Sequence, residues 1–340
     1  MKPRVLAVRL DNNGDVLLAG PAIRALAAGS RSVTLLCGPR GRDAAQLLPG
    51  VDEIIAFRAP WIDAEPPPVD PLVIEALVAD LQARAFDQAI IFTSYHQNAL
   101  PLALLLRLAG LKTIAAISED YPGSLLDVRH RVSDDLHEVE RNLSLVAALG
   151  YRLPPGDDSR LRLRRATIRS SEIPFIVVHP GATAPARTWP ASHYAALVKR
   201  LVGTGKQVVV TGVSTEEALT REVAGDERRV RNLGGRISFA QLADLLAGAD
   251  VLVAGNTGPA HLAAAVGTPV VSLFSPVVPA IRWRPWAVPH VLLGDQQAAC
   301  ANTRARFCPV PGHPCLSQVS VDAVMAAIEQ LSPVREVIAS

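Results

Sequence analysis

The chain has 340 residues, 49% hydrophobic and 19% charged, a balance that suits a globular protein with sizeable cores and leaves room for two domains. A formal charge of +2, with no run of Lys and Arg and no aromatic RNA-binding motif, argues against a nucleic-acid partner. The N-terminal MKPRVLAVRL lacks the apolar stretch of a signal peptide, and the most apolar helix candidate, NALPLALLLRLAGL, is short and carries Arg107, so the sequence predicts no membrane span and a cytoplasmic protein.

In chain order, VLAVRL (5–10) reads as a buried strand, followed by a polar turn and an apolar helix to Leu26, with Asp15 just after the turn glycine Gly14. Short apolar runs recur at 33–38, 53–57, 88–94 and 113–118. None alternates polar with apolar, as expected of parallel strands covered by helices on both faces. The segment 151–174, rich in Pro, Ser and charge, then separates the halves. A second series of runs follows at 175–181, 207–213, 229–235, 249–255, 269–275 and 290–294, with helical stretches at 192–203, 215–224, 239–247, 259–266 and 320–331 between and after them. The pattern predicts an α/β chain of two Rossmann-like, doubly wound domains facing a central cleft. They span 1–160 and 170–320, and a helix within 320–340 is free to pack back on the first. Ligands in such sheets sit beyond the carboxyl ends of the strands, so the loops there carry the candidates.

After the strand at 175–178, HPGATAPARTWP offers a backbone amide at Gly181, a hydroxyl at Thr183 and a guanidinium at Arg187, all suited to phosphate oxygens. A surface turn with a solvated arginine fits the same string. In VSTEEALTREV, Ser214 or Thr215 caps a helix and Glu216 and Glu217 fall in its first turn. Dipole compensation explains both glutamates, while a carboxylate past a strand end also binds ribose hydroxyls in dinucleotide folds. Gly255-Asn256-Thr257-Gly258 ends a strand and Pro259 falls at a helix start, an arrangement built to hold an anion. His261, just inside that helix, either packs or meets the ligand. Cys300, Cys308, His313 and Cys315 lie in one loop and would supply four zinc ligands, but without a tight C-x-x-C pair free thiols or a disulfide are the plainer reading; Cys37 is core. No G-x-G-x-x-G follows a strand, and no G-x-S-x-G, H-E-x-x-H or D-x-D is present. The string GTGK (203–206) lacks the Ser or Thr of a P-loop and precedes a strand, so it reads as a helix end.

Three strings taken in order, RLDNNGDVLLAGPAIRAL (9–26), HPGA…RTWP (179–190) and GNTGPAHLAAAVGTPVVSLFSP (255–276), resemble glycosyltransferase family 9, the ADP-heptose heptosyltransferases of lipopolysaccharide assembly, over about residues 4–331. The resemblance implies a GT-B fold with the acceptor bound mainly by the first domain and the nucleotide-sugar by the second. It also implies inverting transfer of a sugar, heptose from ADP-heptose, to a hydroxyl of a glycan or glycolipid, with no metal and no cofactor beyond the donor. By the same resemblance Asp15 is the base, Arg187 faces the donor diphosphate, Glu216 holds the ribose, and the amides of Thr257 and Gly258 meet the phosphates, with Gly181, Thr183, Asn256 and His261 completing the donor set. Asn12, Asn13, Tyr95, His96 and Gln97 are the acceptor candidates, and a packed loop fits Tyr95, His96 and Gln97 equally well.

This chain departs from the family pattern at Asn256, where many relatives carry Asp, at Asn12 and Asn13, where small residues are common, and in FTSYHQNALP (92–101). The acceptor stays unnamed, because its contacts lie in variable loops, and a peripheral contact with the inner face of the membrane is left open. Two other classes share the architecture: a nucleotide-sugar epimerase, and a non-catalytic two-domain binding protein.

Overall fold

A computed structural model describes residues 1–63, 66–94, 97–164 and 174–332. The chain divides into two units, Met1–Arg165 and Ala166–Ser340. The first unit holds strands β1 (Arg4–Arg9), β2 (Ser32–Cys37), β3 (Glu53–Ala56), β4 (Gln88–Ile91), β5 (Thr113–Ile117) and β6 (Val128–His130). The second holds β7 (Phe175–His179), β8 (Gln207–Val210), β9 (Val230–Asn232), β10 (Val251–Gly255), β11 (Val270–Leu273) and β12 (His290–Leu293). Each unit forms one parallel sheet, in the orders β3-β2-β1-β4-β5-β6 and β12-β11-β10-β7-β8-β9. Counted from the first strand of its own unit, each sheet reads 3-2-1-4-5-6. The order reverses between β1 and β4 in one unit and between β7 and β10 in the other, and a doubly wound sheet opens a crevice for ligands at such points.

The apolar runs explain the layering. Val5, Leu6, Ala7 and Val8 of β1 are buried without alternation, with Val5 in register with Val33 and Gln88 on either side. A strand buried on both faces requires helices above and below it. In the first unit Leu6 and Val8 share a core with Leu36, Ile91, Leu102 and Leu106. In the second, Ile176, Val178, Val253 and Val271 pack with Trp189 and Tyr194, whose rings meet edge to face at 4.9 Å.

Several details differ from the sequence expectation. The helix after the first turn is two helices, Asn13–Leu18 and Gly20–Gly29, broken where Pro21 has no N–H to continue the ladder. The short β6, with the half-buried sequence VRH, lacks the apolar signal that marked the other strands. The last described helix, Val321–Leu331, places Val324, Met325, Ala327 and Ile328 in the second unit's own core, because that stripe is apolar at helical spacing; the rest of the 320–340 segment lies outside the described residues. Thr204 and Gly205, in the left-handed conformation at φ 86°, end the helix Ala191–Gly203 and account for GTGK. Among the described residues no helix is long and apolar enough to cross a membrane.

Candidate active site

At the switch point of the first unit the loops after β1 and β4 converge on a buried arginine. Arg9, the last residue of β1, is wholly buried, and its Nε lies 2.8 Å from Asp11 Oδ2 while its Nη2 lies 3.2 Å from Asp15 Oδ1 and 3.5 Å from Glu138 Oε2. Burial works against the charge, yet the three carboxylates hold the guanidinium above the ordinary arginine range. Glu138 reaches this point from the start of the helix Glu138–Ala148, where the ring of His137 accepts a hydrogen bond from Val139 N and Glu140 accepts one from His137 N. That reciprocal cap fixes the first turn and thereby the buried Glu138. From the β4 side, Arg9 Nη2 donates to Ser94 Oγ at 2.5 Å, Ser94 Oγ lies 3.1 Å from Asp11 Oδ2 and 3.2 Å from Asp15 Oδ1, and the Gln97 amide donates to Asp11 Oδ1.

The three carboxylates are not equivalent. Glu138 is fully buried and Asp11 6% exposed, whereas Asp15 is 19% exposed and is the one that solvent reaches. Burial pushes the Asp11 carboxyl up to about 6, with Arg9 pulling the other way. Asp15 itself sits in the first turn of Asn13–Leu18, where the helix dipole favours a negative charge. Beside this cluster a cavity of about 280 Å³ opens past the ends of β1, β2 and β3, lined by Leu10, Gly38, Arg40, Arg58, Ile62 and Asp63 among others. Arg58 Nε lies 2.8 Å from Asp63, which also pairs with Arg40.

The second unit presents at its own switch point a buried histidine, a carboxylate and a helix start. His179 ends β7, buried, with Nδ1 3.0 Å from Thr211 Oγ1, and burial lowers its pKa to about 4, so it is neutral at ordinary pH. Glu216 Oε2 accepts a hydrogen bond from Val213 N at 2.9 Å and lies 3.9 Å from His179 Nε2; burial raises the pKa of this carboxyl. The side chain is seated over glycine: a Cβ at Gly181 would stand 2.1 Å from its carboxyl carbon, so any larger residue there would push the Glu216 carboxylate from its place. At the neighbouring strand end a Cβ at Gly255 would stand 2.7 Å from the Arg187 carbonyl, which brings the Arg187 loop against the end of β10. Next along, Asn256 is buried and accepts from Ser275 N at 3.4 Å, and Thr257 and Gly258 open the helix Gly258–Val266 with Pro259 in its first turn. Thr257 makes no side-chain cap, so the first N–H groups of this helix donate no hydrogen bond to its hydroxyl.

A family model described as glycosyltransferase family 9 (heptosyltransferase) matches residues 74–313. The chain belongs to glycosyltransferase family 9. It is 28% identical over 302 residues to lipopolysaccharide heptosyltransferase 1 of Pseudomonas aeruginosa, a match that covers 81% of this chain and 79% of that protein. The structure of Escherichia coli ADP-heptose lipopolysaccharide heptosyltransferase II aligns with a TM-score of 0.76 at 22% identity, over 96% of this chain and 98% of the other. An E. coli heptosyltransferase with ADP-2-deoxy-2-fluoro heptose aligns with a TM-score of 0.71 at 24% identity, over 96% and 99%. The protein is thus a glycosyltransferase built on the GT-B pair of Rossmann-like units.

Within this family 9 enzyme the residues expected from the sequence separate into groups. Asp15 and Gln97 meet in the Arg9 cluster, Gly181 meets Glu216, and Arg187 lies beside the loop of Asn256, Thr257 and Gly258. His261 is buried within its helix and Thr183 is exposed. Asn12 is exposed, and the Oδ1 of half-buried Asn13 accepts from Ala44 N at 3.0 Å and satisfies the start of the helix Arg42–Leu47. Tyr95 and His96 lie outside the described residues. Ser214 and Thr215 do not cap a helix through their side chains: they form the 3-10 turn Ser214–Glu216 that leads into Glu217–Ala224.

The four zinc candidates do not act together. His313 Nε2 lies 3.1 Å from the Ala186 carbonyl, an oxygen that only accepts, so this nitrogen carries its proton and ties the loop to the residue before Arg187. Cys300 and Cys315 are buried and Cys308 is half-buried; burial pushes the Cys315 thiol up to about 11 and raises Cys300 as well. Among the described residues no group of three or more His, Cys, Asp or Glu side chains is arranged to hold a metal. Arg9, Asp11, Ser94 and Glu138 escaped the sequence reading, although two charged residues at the end of an otherwise apolar strand, Arg9 and Asp11, were the signal available.

Proposed function

We propose that this enzyme transfers heptose from ADP-heptose to a hydroxyl group of a lipopolysaccharide-type acceptor, with inversion at the anomeric carbon and without a metal or further cofactor. The observation that carries the reading is Asp15, the solvent-reached carboxylate of the Arg9 cluster, held at the switch point of the first unit. In this reading Asp15 takes the proton of the acceptor hydroxyl, the oxygen attacks the anomeric carbon, and ADP departs with the electrons of the broken bond. Arg187 and the N–H groups of Thr257 and Gly258 stabilise the charge that develops on the diphosphate, and Glu216 accepts from the ribose hydroxyls. The named activities of the relatives support the donor, and the paired arginines Arg40 and Arg58 at the cavity beside Leu10 suit an acceptor that carries negative charge. The reaction then belongs to the cytoplasm, at the inner face of the membrane where such acceptors are assembled.

The test is an incubation with ADP-heptose and a deacylated lipopolysaccharide core, with and without EDTA, followed by NMR of the anomeric configuration. Inverted product that forms in EDTA is expected, and Asp15→Asn is expected to lower transfer by about 10²- to 10⁴-fold with ADP affinity unchanged. Retained configuration, or activity lost in EDTA and restored by Mg²⁺, overturns the mechanism. Turnover of the donor with no acceptor present would instead favour an epimerase.

A further inference from the structure

One serine hydroxyl in the first unit stands between two carboxylates. Ser94 Oγ already accepts from Arg9 Nη2, so its single hydrogen is available for either Asp15 Oδ1 at 3.2 Å or Asp11 Oδ2 at 3.1 Å, and it serves one at a time. The two acids differ in surroundings: Asp15 is the carboxylate that solvent reaches, while Asp11 lies behind it, buried, with its other oxygen taken by the Gln97 amide. A hydroxyl with two acceptors and one donor held in place beside it is the geometry of a proton wire with two states.

We propose that Ser94 and Asp11 form a relay that draws away the proton Asp15 removes from the acceptor, so that Asp15 serves as the contact base and Asp11 as the place where the proton rests. The inference rests on the reading of Asp15 as the base. The acceptor O–H electrons become the new glycosidic bond, the bond from the anomeric carbon to the diphosphate breaks with its pair leaving on ADP, and the proton passes to Asp15. As Asp15 gives that proton to Ser94 Oγ, the original Ser94 hydrogen moves to Asp11 Oδ2. Asp11 ends neutral, Asp15 is again an anion, and after product release the proton returns by the same path to solvent.

Asp11 suits the resting place because burial lifts its carboxyl to about 6, so it holds a proton more readily than an exposed acid does. The groups that face it have been placed: Arg9 and Asp15 directly, with Glu138 beyond Arg9 and Arg141 Nε 3.7 Å from Glu138. On the β2 side the backbone at Gly38 and Gly41 packs on the Leu10 and Asp11 carbonyls; of the neighbouring cations, Arg40 pairs with Asp63 and Arg42 acts on Cys37. Asp11 and Ser94 act through Asp15 and are positioning residues, so the test must read protons and not only rate.

Four forms of the enzyme are compared in the transfer reaction: wild type, Ser94→Ala, Ser94→Thr and Asp11→Asn, each with kcat/KM against pH and rates in mixed H₂O and D₂O. Wild type is expected to show an acid limb near pH 6, where Asp11 must be ionised to accept, and a curved dependence on deuterium content because more than one proton moves. Ser94→Ala is expected to fall about tenfold or more with a linear dependence, Ser94→Thr to restore both rate and curvature, and Asp11→Asn to lose the limb near pH 6. A Ser94→Ala enzyme with wild-type rate and curvature overturns the relay, as does a Ser94→Thr enzyme as slow as Ser94→Ala. If Ser94→Ala does not fold, Asp11→Asn decides alone, and an unchanged acid limb in it overturns the relay. Asp15→Asn run alongside separates the two readings: if it stays active the base assignment falls, whereas if it is dead while Ser94→Ala is unaffected only the relay falls.

Discussion

The ends of β1 and β7 occupy the same place in sheets of the same strand order, yet one is built round a largely buried cluster of ions and the other round a neutral histidine with a single carboxylate beside it. At β1 a wholly buried arginine gathers three carboxylates, and every member depends on the charge of the others. At β7 a neutral histidine, a hydroxyl, bare glycines and a helix start leave room for a charge that arrives from outside. In the proposed reading the first end supplies a fixed negative charge to take a proton, and the second supplies backbone N–H donors and the Arg187 guanidinium to receive an anion. The same fold supplies both because the switch point only places loops, and the loops choose the chemistry.

The comparison breaks first at Arg9. Replacing it with Met leaves Asp11, Asp15 and Glu138 facing one another without the cation they share, with Arg141 remaining beside Glu138, and loss of one partner from a buried ionic network costs about 3–5 kcal/mol. Urea unfolding at pH 7 is expected to show that loss in full, and at pH 5 to show less of it, because Asp11, with its pKa lifted to about 6, has by then taken up a proton. A loss below about 1 kcal/mol would mean that the cluster does not depend on its arginine.

The two ends also titrate in opposite directions within one window. His179 takes a proton at 6.5 when unfolded but only near 4 when folded, so the unfolded chain binds more protons in between and this contribution to stability falls as pH drops from 6.5 to 4, by about 3 kcal/mol at most. Asp11 does the reverse: its carboxyl is raised from 3.8 to about 6, so its contribution is present below pH 4 and is lost as pH rises through 6. His179→Gln is expected to flatten the acid loss, and Asp11→Asn to steepen it, in melting temperatures recorded from pH 4 to pH 7. Parallel curves for both variants and wild type would show that neither group sets the dependence.

A smaller effect sharpens the second half of the comparison. Arg187→Ala removes one charge-assisted contact worth about 1.5–3 kcal/mol, so the calorimetric dissociation constant for ADP is expected to rise roughly ten- to a hundredfold. Unchanged affinity would remove Arg187 from the donor site and leave the helix start to act alone.

Most of the framework was legible because its signals are local. Runs such as FIVVH and VLVAG carry no polar alternation and so read as buried parallel strands, while Gly255, Pro259 and the Ala-rich stretch after them announce a strand end and a helix start. Asp15 stood out for the same reason, as a carboxylate one residue past a turn glycine. What stayed hidden depends on contacts distant in sequence. Ser94 and Glu138 join Arg9 from 85 and 129 residues away, and nothing near either one says that it is part of a charged cluster. The link from Asn13 to Ala44 also stayed hidden, because a side chain in the turn after β1 gives no local sign that it finishes a helix 31 residues on. His313 misled because cysteines nearby in sequence suggested a ligand set, while the fold turned its ring to a carbonyl at Ala186.

The helix Val321–Leu331 has a consequence for the order in which the molecule is made. Among the described residues the first unit's core is complete before residue 165, and a chain that emerges from its N-terminus can close that unit during synthesis. The second cannot close in step with its own strands, because Val324, Met325 and Ile328 belong to the core around Leu197 and Val271 and are made last. Until they arrive, the part of the second unit's apolar core that they fill stays open, and the second unit is expected to be the more exposed of the two to aggregation during synthesis.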